Sequence, residues 1–207
     1  MEIFLRNIKK SFNGKVVFSD INFSFKKGEI FYICGENGSG KTTLLNIISF
    51  LVKPDYGEIL YRAEDKIFEY RFPYLPEKTV LSKISYLPQK NIILKGNVEY
   101  NIKIGKILRK DKNFDEKFYN LVEMFGFFDI LKKDIYEISE GKKKVACFLR
   151  TVIVDWEILL LDEPFSNLDS RYIDIIYEYL FEEKNKGKTI IITKPESHDI
   201  RICKIDY

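Results

Sequence analysis

A glycine-rich stretch, GENGSGKT at residues 35–42, has the composition of a phosphate-binding loop. It fits the pattern G-x-x-x-x-G-K-[ST] without departure, and an apolar run precedes it. Glycines allow backbone N–H groups to close around phosphate oxygens, and the N-terminus of a following helix favours the same negative charge. Lys41 adds a positive charge for the β- and γ-phosphates, and Thr42 offers a hydroxyl to Mg²⁺. The predicted nucleotide contacts of this loop are Gly35, Asn37, Gly38, Ser39, Gly40, Lys41, Thr42 and Thr43.

A second motif, ILLLDEP at residues 158–164, places two acids directly after an apolar run. Four successive apolar residues predict a strand that is buried on both faces. Asp162 then follows the strand, where a carboxylate can hold Mg²⁺ and its water shell. Glu163 is the next residue and is placed to orient an attacking water and to take its proton. With the loop, these acids predict triphosphate hydrolysis with Lys41 and Glu163 as catalytic residues and Asp162 as a metal ligand.

Composition is that of a soluble globular protein. The 207 residues are 45% hydrophobic and 31% charged, which excludes intrinsic disorder. The net charge of +3 is too close to balance to predict nucleic-acid binding. The first ten residues, MEIFLRNIKK, do not have the pattern of a signal peptide, and no apolar run is long enough to span a bilayer. Three cysteines without CxxC spacing, Cys34, Cys147 and Cys203, are predicted to be buried free thiols, as expected in a reducing cytoplasm.

The apolar pattern predicts strands and helices in alternation around these motifs. Strands are predicted at residues 2–8, 16–25, 29–34, 57–61, 157–161, 189–193 and 200–205. Helices are predicted at residues 41–52, 139–154 and 170–184, and residues 97–131 form a helical insert. Pro73 and Pro76 predict a loop or an irregular edge excursion within residues 62–83. This order predicts an α/β fold with a largely parallel core sheet.

The chain resembles the ATP-binding cassette (ABC) ATPases, the nucleotide-binding subunits of ABC transporters, over nearly its whole length. The resemblance implies a P-loop ABC ATPase domain with a mixed, largely parallel core sheet, N-terminal antiparallel strands and a small helical insert. It also implies one domain over residues 1–207, with a catalytic core at 1–89 and 139–207 and a helical subdomain at about 90–138.

Three further residues take their predicted roles from this resemblance. Gln89, in the segment SYLPQ, matches the Q-loop glutamine of the family, which implies a catalytic residue that contacts Mg²⁺ and senses the γ-phosphate. Asp169, in SNLD, matches the D-loop at a dimer interface, although it is also an ordinary N-cap residue for the helix that follows. Phe12 lies where the family has an aromatic side chain that stacks on adenine.

The family signature, usually LSGGQ, reads ISEGK at residues 138–142. Ser139 and Gly141 retain the features that cap the γ-phosphate of ATP held by the opposing subunit. The register is supported by Arg150 and the acidic pair, which fall without gaps where the family has an arginine and its Walker B acids. A surface lysine run at a helix start is the alternative interpretation of this segment.

The histidine that follows the last buried strand in the family is absent from its expected place. The segment reads TIIITKPESHD, so Lys194 takes the place if Thr193 is matched, and Pro195 takes it if residues are counted without gaps from Thr189. His198, the only histidine, comes later and has the ordinary interpretation of a solvated side chain.

The resemblance implies a Mg²⁺-dependent ATPase subunit in which two such domains hold ATP between them and drive an integral-membrane permease. The partners implied are a second ABC ATPase subunit, identical or homologous, and the permease, with the protein peripheral on the cytoplasmic face of the membrane. The altered signature and missing histidine leave open a slow or non-hydrolysing half of a heterodimer. A non-transport ABC ATPase is the other alternative, but residues 91–105 are similar to the segment that transport subunits carry after the Q-loop.

Overall fold

The computed structural model of the chain describes residues 1–63, 66–71, 77–109, 115–196 and 200–205. The strands are β1 (Glu2–Phe12), β2 (Lys15–Phe25), β3 (Ile30–Gly35), β4 (Tyr56–Ala63), β5 (Lys66–Arg71), β6 (Ile84–Leu87), β7 (Ile158–Leu161), β8 (Thr189–Pro195) and β9 (Arg201–Lys204). The helices are α1 (Lys41–Ile48), α2 (Lys78–Leu81), α3 (Val98–Leu108), α4 (Asp115–Met124), α5 (Glu140–Val152) and α6 (Ser170–Asn185).

One sheet has the strand order β2-β1-β4-β5, and each neighbouring pair in it is antiparallel. Strands β1 and β2 form a hairpin whose turn consists of Asn13 and Gly14, with φ of 50° and 79°. Two consecutive residues with positive φ are the requirement of a tight two-residue hairpin, and the Asn-Gly pair meets it. This sheet confirms the predicted antiparallel strands in the N-terminal part of the chain.

The second sheet has the order β6-β7-β8-β3-β9. Strands β7 and β3 both run parallel to β8, whereas β9 is antiparallel to β3. All four residues of β7 are buried, as are residues 189–193 of β8, which is typical of strands whose sheet is covered on both faces. The predicted mixed and largely parallel core sheet is therefore confirmed.

The chain divides into two compact units. The first contains residues 1–86, 156–163 and 183–207, and the second contains residues 87–155 and 164–182. In the first unit, residues from both sheets and α1 share one hydrophobic core, which includes Ile3, Ile33, Leu44 and Leu160. In the second unit, the ring of Phe148 lies against those of Phe125 and Tyr179, with ring centroids 5.8 Å apart in both pairs.

Two local predictions are wrong. Within residues 62–83, where a loop or an irregular edge was expected, β5 pairs regularly with β4 at the edge of the sheet, and α2 follows. Pro73 and Pro76 lie outside the described residues. Cys203 is exposed, unlike Cys34 and Cys147, because its strand β9 lies at the edge of the second sheet. Within the described ranges, no helix combines the length and apolarity that crossing a membrane requires.

Candidate nucleotide-binding site

The glycine-rich loop connects β3 to α1 in the first unit, as its pattern predicts. The ammonium group of Lys41, the first residue of α1, donates hydrogen bonds to the carbonyl oxygens of Gly35 and Glu36, at 2.8 and 2.9 Å. Lys41 is only 5% exposed, so its charge is held against the loop and is not free in solvent. The loop therefore curls around a fixed positive charge at the N-terminus of a helix.

Glycine is required sterically at both ends of the loop. A Cβ atom at Gly35 would lie 2.6 Å from the hydroxyl oxygen of Ser39. At Gly40, the N-cap of α1, φ is 102° and a Cβ atom would lie 2.4 Å from a methyl carbon of Val17 on β2. A side chain at either position would displace these neighbouring atoms, so the two glycines allow the close packing of the loop.

The hydroxyl of Ser39 is buried and has no hydrogen-bond partner among the described residues. A buried polar atom without a partner is rare in native proteins and calls for a physical explanation. Here the atom lies in a loop with a fixed ammonium group and with first-turn N–H groups that have no partner within the helix. Phosphate oxygens would satisfy all three features, so the residues present fit a nucleotide phosphate.

The carboxylate of Asp162 lies at the carboxyl end of β7, beside the loop. Asp162 is fully buried, and its Oδ2 atom accepts a hydrogen bond from the hydroxyl of Thr42 at 2.7 Å. The hydroxyl of Tyr86 is also hydrogen-bonded to this carboxylate, and burial, followed by the charge of Asp162, raises the pKa of Tyr86. A carboxylate and a hydroxyl in contact are the hard oxygen donors that Mg²⁺ prefers. The predicted metal ligands Thr42 and Asp162 thus lie together and fit this ion.

Glu163 adopts an unusual backbone conformation, with φ of 47°. A non-glycine residue in this left-handed region costs about 1–3 kcal/mol, and such strain is concentrated at functional sites. The N–H group of Glu163 donates to the hydroxyl of Thr193 at 2.8 Å, and that hydroxyl donates to Asp162 Oδ1 at 2.6 Å. The sequence prediction did not include Thr193 among the site residues, because no sequence pattern distinguishes it from an ordinary threonine at the end of a buried strand.

Phe12 ends β1, immediately before the hairpin turn, and its side chain is 47% exposed. The ammonium group of Lys10 lies 4.8 Å from the centre of the Phe12 ring and also contacts Asp55 at 2.9 Å. The same hairpin contributes Val17, which borders the loop at Gly40. Phe12 thus belongs to the hairpin that borders the loop, with Lys10 near its ring.

The two candidates for the missing histidine lie at the end of β8. Pro195 pairs with Gly35, the first residue of the loop, whereas Lys194 pairs with Cys34. The side chain of Lys194 is exposed, lies 5.7 Å from the centre of the Tyr32 ring and forms an ion pair with Glu196 at 3.6 Å. His198 lies outside the described residues.

Cys34, the residue before the loop, is buried and has a weakly acidic thiol. Burial first, and then the charges of Cys203 and Glu196, raise its pKa to about 12. A thiol with this pKa stays protonated at neutral pH and is a poor nucleophile. The structure therefore supports the prediction that Cys34 is a buried free thiol.

The remaining predicted residues belong to the second unit. Gln89 is exposed two residues after the end of β6. Ser139 is the N-cap of α5 and its hydroxyl accepts from the N–H of Lys142 at 3.4 Å, and Gly141 follows in the first turn. Asp169 accepts from the N–H of Tyr172 at 3.1 Å, so the N-cap interpretation of this residue is correct. These contacts leave the predicted nucleotide and dimer roles of the four residues as predictions.

Known proteins with similar sequences and structures identify the family. A family model described as ABC transporter matches residues 18–166. The Fe(3+) ions import ATP-binding protein FbpC 2 of Haemophilus influenzae is 31% identical over 95% of this chain, which spans only 56% of that relative. The tungstate uptake system ATP-binding protein TupC of Peptoclostridium acidaminophilum is 31% identical over 98% of this chain and 92% of its own length.

Among solved structures, an ABC transporter ATP-binding protein from Pyrococcus furiosus has a TM-score of 0.77 and 27% sequence identity. The match covers 95% of this chain and 92% of that protein. The family model covers most of the chain, and this fold agrees with it over nearly the full length. The chain therefore belongs to the ABC transporter family of ATP-binding proteins.

Proposed function

We propose that this protein binds and hydrolyses Mg²⁺-ATP as the ATPase subunit of an ABC transporter. The observation that carries the proposal is the arrangement of Lys41, Ser39, Thr42 and Asp162 in the first unit. A fixed ammonium group, an unpartnered buried hydroxyl, and a hydroxyl–carboxylate pair meet at one helix N-terminus. ABC ATPases bind ATP, normally with Mg²⁺, and this combination of groups is suited to a triphosphate and its metal ion.

Each residue has a distinct chemical task in this proposal. Lys41 binds the β- and γ-phosphates, and Thr42 and Asp162 hold Mg²⁺, which supplies charge neutralisation when bound. Glu163 orients the attacking water and accepts its proton. Phe12 offers an exposed ring for the base, and Gln89 contacts the metal and senses the γ-phosphate. In-line attack of water then depends on positioning and charge stabilisation, without a covalent intermediate.

The proposed assembly contains two ATPase subunits and a membrane permease. Ser139, Gly141 and Asp169 of one subunit face the ATP bound by the other, so hydrolysis requires the dimer. ATP-driven dimerisation and its reversal after hydrolysis drive the permease from the cytoplasmic face of the membrane. The names of the similar proteins, which import Fe(3+) ions or take up tungstate, favour import as the direction.

A second candidate function is a slow or non-hydrolysing half of a heterodimer. Two sequence departures favour it: Glu140 within the signature, and the absence of histidine from positions 194 and 195. Glu163 favours the hydrolytic function, because a site without catalysis has no need for an acid in a strained backbone conformation.

The proposal is tested by the substitution Lys41→Ala. Hydrogen bonds to charged groups contribute about 1.5–3 kcal/mol, so ATP affinity should fall about 10–100-fold. Calorimetry with Mg²⁺-ATP measures the affinity, and circular dichroism checks that the variant is folded. Lys78→Ala is the matched control, because Lys78 is an exposed lysine on α2 of the same unit. Unchanged affinity in a folded Lys41→Ala protein would contradict the proposed function.

A further inference from the structure

The hydroxyl of Thr193 connects the two acidic residues of the candidate site. It donates to Asp162 Oδ1 at 2.6 Å and accepts from the N–H of Glu163 at 2.8 Å. The side chain is 1% exposed, so water does not compete for these hydrogen bonds. A hydroxyl has a single proton to donate, and Thr193 gives it to the carboxylate. One buried hydroxyl thus contacts the carboxylate of Asp162 and the backbone N–H of Glu163.

The contact with Asp162 helps to orient that carboxylate, together with the hydrogen bonds from the hydroxyls of Thr42 and Tyr86. Because Thr193 holds Oδ1, the other oxygen, Oδ2, is directed to the hydroxyl of Thr42. Asp162 and Thr42 are the pair whose oxygen atoms fit Mg²⁺. Groups that hydrogen-bond to a metal-binding carboxylate fix its direction and influence metal affinity.

The contact with Glu163 supports a strained peptide. The φ of 47° places this residue in a region that non-glycine residues rarely occupy. Such a conformation persists only where its surroundings hold it, and the hydrogen bond to Thr193 is one such restraint. The direction in which the Glu163 carboxylate leaves the backbone therefore depends on Thr193.

We propose that Thr193 is a positioning residue for ATP hydrolysis, which aligns the magnesium-binding carboxylate of Asp162 and the general base Glu163 through one hydroxyl. This role rests on the proposed function and deepens it. Strand β8 pairs with β7 and thereby brings the hydroxyl of Thr193 to the end of β7. There the hydroxyl influences the geometry of Asp162 and Glu163, which follow β7 in the chain.

The test compares Thr193→Val, which keeps the shape and removes the hydroxyl, with Thr193→Ser, which keeps the hydroxyl. Calorimetry measures the ATP affinity of each full-length variant with Mg²⁺ and with a chelator instead. We expect Thr193→Val to lose about 10–100-fold in Mg²⁺-dependent affinity, and kcat to fall with it, while metal-free ATP binding is unchanged. Thr193→Ser should restore most of the Mg²⁺ effect.

The matched control is Thr189→Val on the same strand. Thr189 is also fully buried, and its hydroxyl donates to the carbonyl oxygen of Met1 at 2.9 Å, away from the two acids. This substitution should lower stability without changing the Mg²⁺ dependence of ATP binding. If Thr193 has only a structural role, Thr193→Val should likewise lower stability and leave the Mg²⁺ dependence of ATP binding unchanged.

Three results overturn the proposal while leaving the proposed function intact. The first is wild-type Mg²⁺ dependence in a folded Thr193→Val variant, and the second is an equal loss in the Val and Ser variants. The third is rapid hydrogen exchange of the Glu163 amide in the wild-type protein, a measurement that does not require the Val variant to fold. If the wild-type protein does not bind ATP with or without Mg²⁺, the proposed function fails and this role fails with it.

Discussion

At the scale of single residues, the two candidate positions for the missing histidine, 194 and 195, lie on opposite faces of the end of β8. Successive side chains of a strand point to opposite faces, so Pro195 shares a face with Thr193, and Lys194 does not. Thr193 contacts the acids, and Pro195 pairs with the first residue of the phosphate loop. Lys194 is directed instead to Tyr32 and Glu196. Of the two positions, 195 is therefore the better placed for a group that acts on the γ-phosphate.

We expect Pro195→His to raise the ATPase rate and Lys194→His to leave it nearly unchanged. A positioned group at the transition state contributes about 10²–10³ in rate, so the wild-type protein alone should turn over below about 1 s⁻¹. Steady-state phosphate release measures the three rates. His198→Ala is the control, because loss of hydrolysis with retained ATP binding would show that His198 acts in this place. A rate that rises with Lys194→His instead would contradict the preference for position 195.

At the scale of elements, helix α5 is connected to the segment before α6 through a buried ammonium group. Lys144 is 5% exposed, and its Nζ atom donates to the carbonyl oxygen of Ser166 at 3.0 Å and to the hydroxyl of the same residue. Gly141, in the first turn of α5, lies near the same segment, since a Cβ atom there would be 3.5 Å from the carbonyl oxygen of Asn167. The signature residues and residues 166–169 thus belong to one packed arrangement within the second unit.

Replacement of Lys144 by Met should destabilise the protein, because the carbonyl and hydroxyl of Ser166 lose a charged donor. A hydrogen bond from a charged donor contributes about 1.5–3 kcal/mol, so the free energy of unfolding should fall by about this amount. Urea denaturation followed by circular dichroism gives the value. Lys142→Met, from the same lysine run but half-buried, is the matched control and should have little effect. Equal stability of the two variants would show that the ammonium group is not required.

At the scale of the whole molecule, the proposed reaction depends on a second subunit. The phosphate loop and its acids lie in the first unit, whereas Ser139, Gly141 and Asp169 lie in the second. In the proposed assembly, the latter residues complete the nucleotide site of the opposing subunit. ATP binding and subunit association are then linked, so a protein that binds ATP without hydrolysing it should remain associated.

Glu163→Gln tests this link. The amide keeps the size of the side chain and removes the base, so hydrolysis should fall by about 10²–10⁴ while ATP binding survives. We expect ATP to convert this variant to a dimer and ADP to leave it monomeric, as measured by size-exclusion chromatography with light scattering. Monomers with both nucleotides would contradict a homodimer and would favour a heterodimer with a homologous subunit.

Local patterns predicted the phosphate loop, the acidic pair and most of the elements, because each depends on residues close together in the chain. The curve of the loop follows from Gly35 and Gly40, and the burial of β7 from four consecutive apolar residues. The strand at residues 66–71 was not predicted, since the pairing of β5 with β4 depends on a strand already in the sheet. A short strand at the edge of a sheet has too few residues for a clear sequence pattern that would predict it.

The hydrogen bonds that Thr193 forms with Asp162 and Glu163 were decided only by the tertiary structure. Thr42, Asp162 and Thr193 are far apart in the sequence, and the parallel pairing of β3, β7 and β8 brings their hydroxyl and carboxylate groups within hydrogen-bonding distance. The sequence by itself determined which chemical groups this protein has for a nucleotide and a metal ion. Strand order and register determined which of them meet, because contacts between distant residues arise from the sheet and have no local signature.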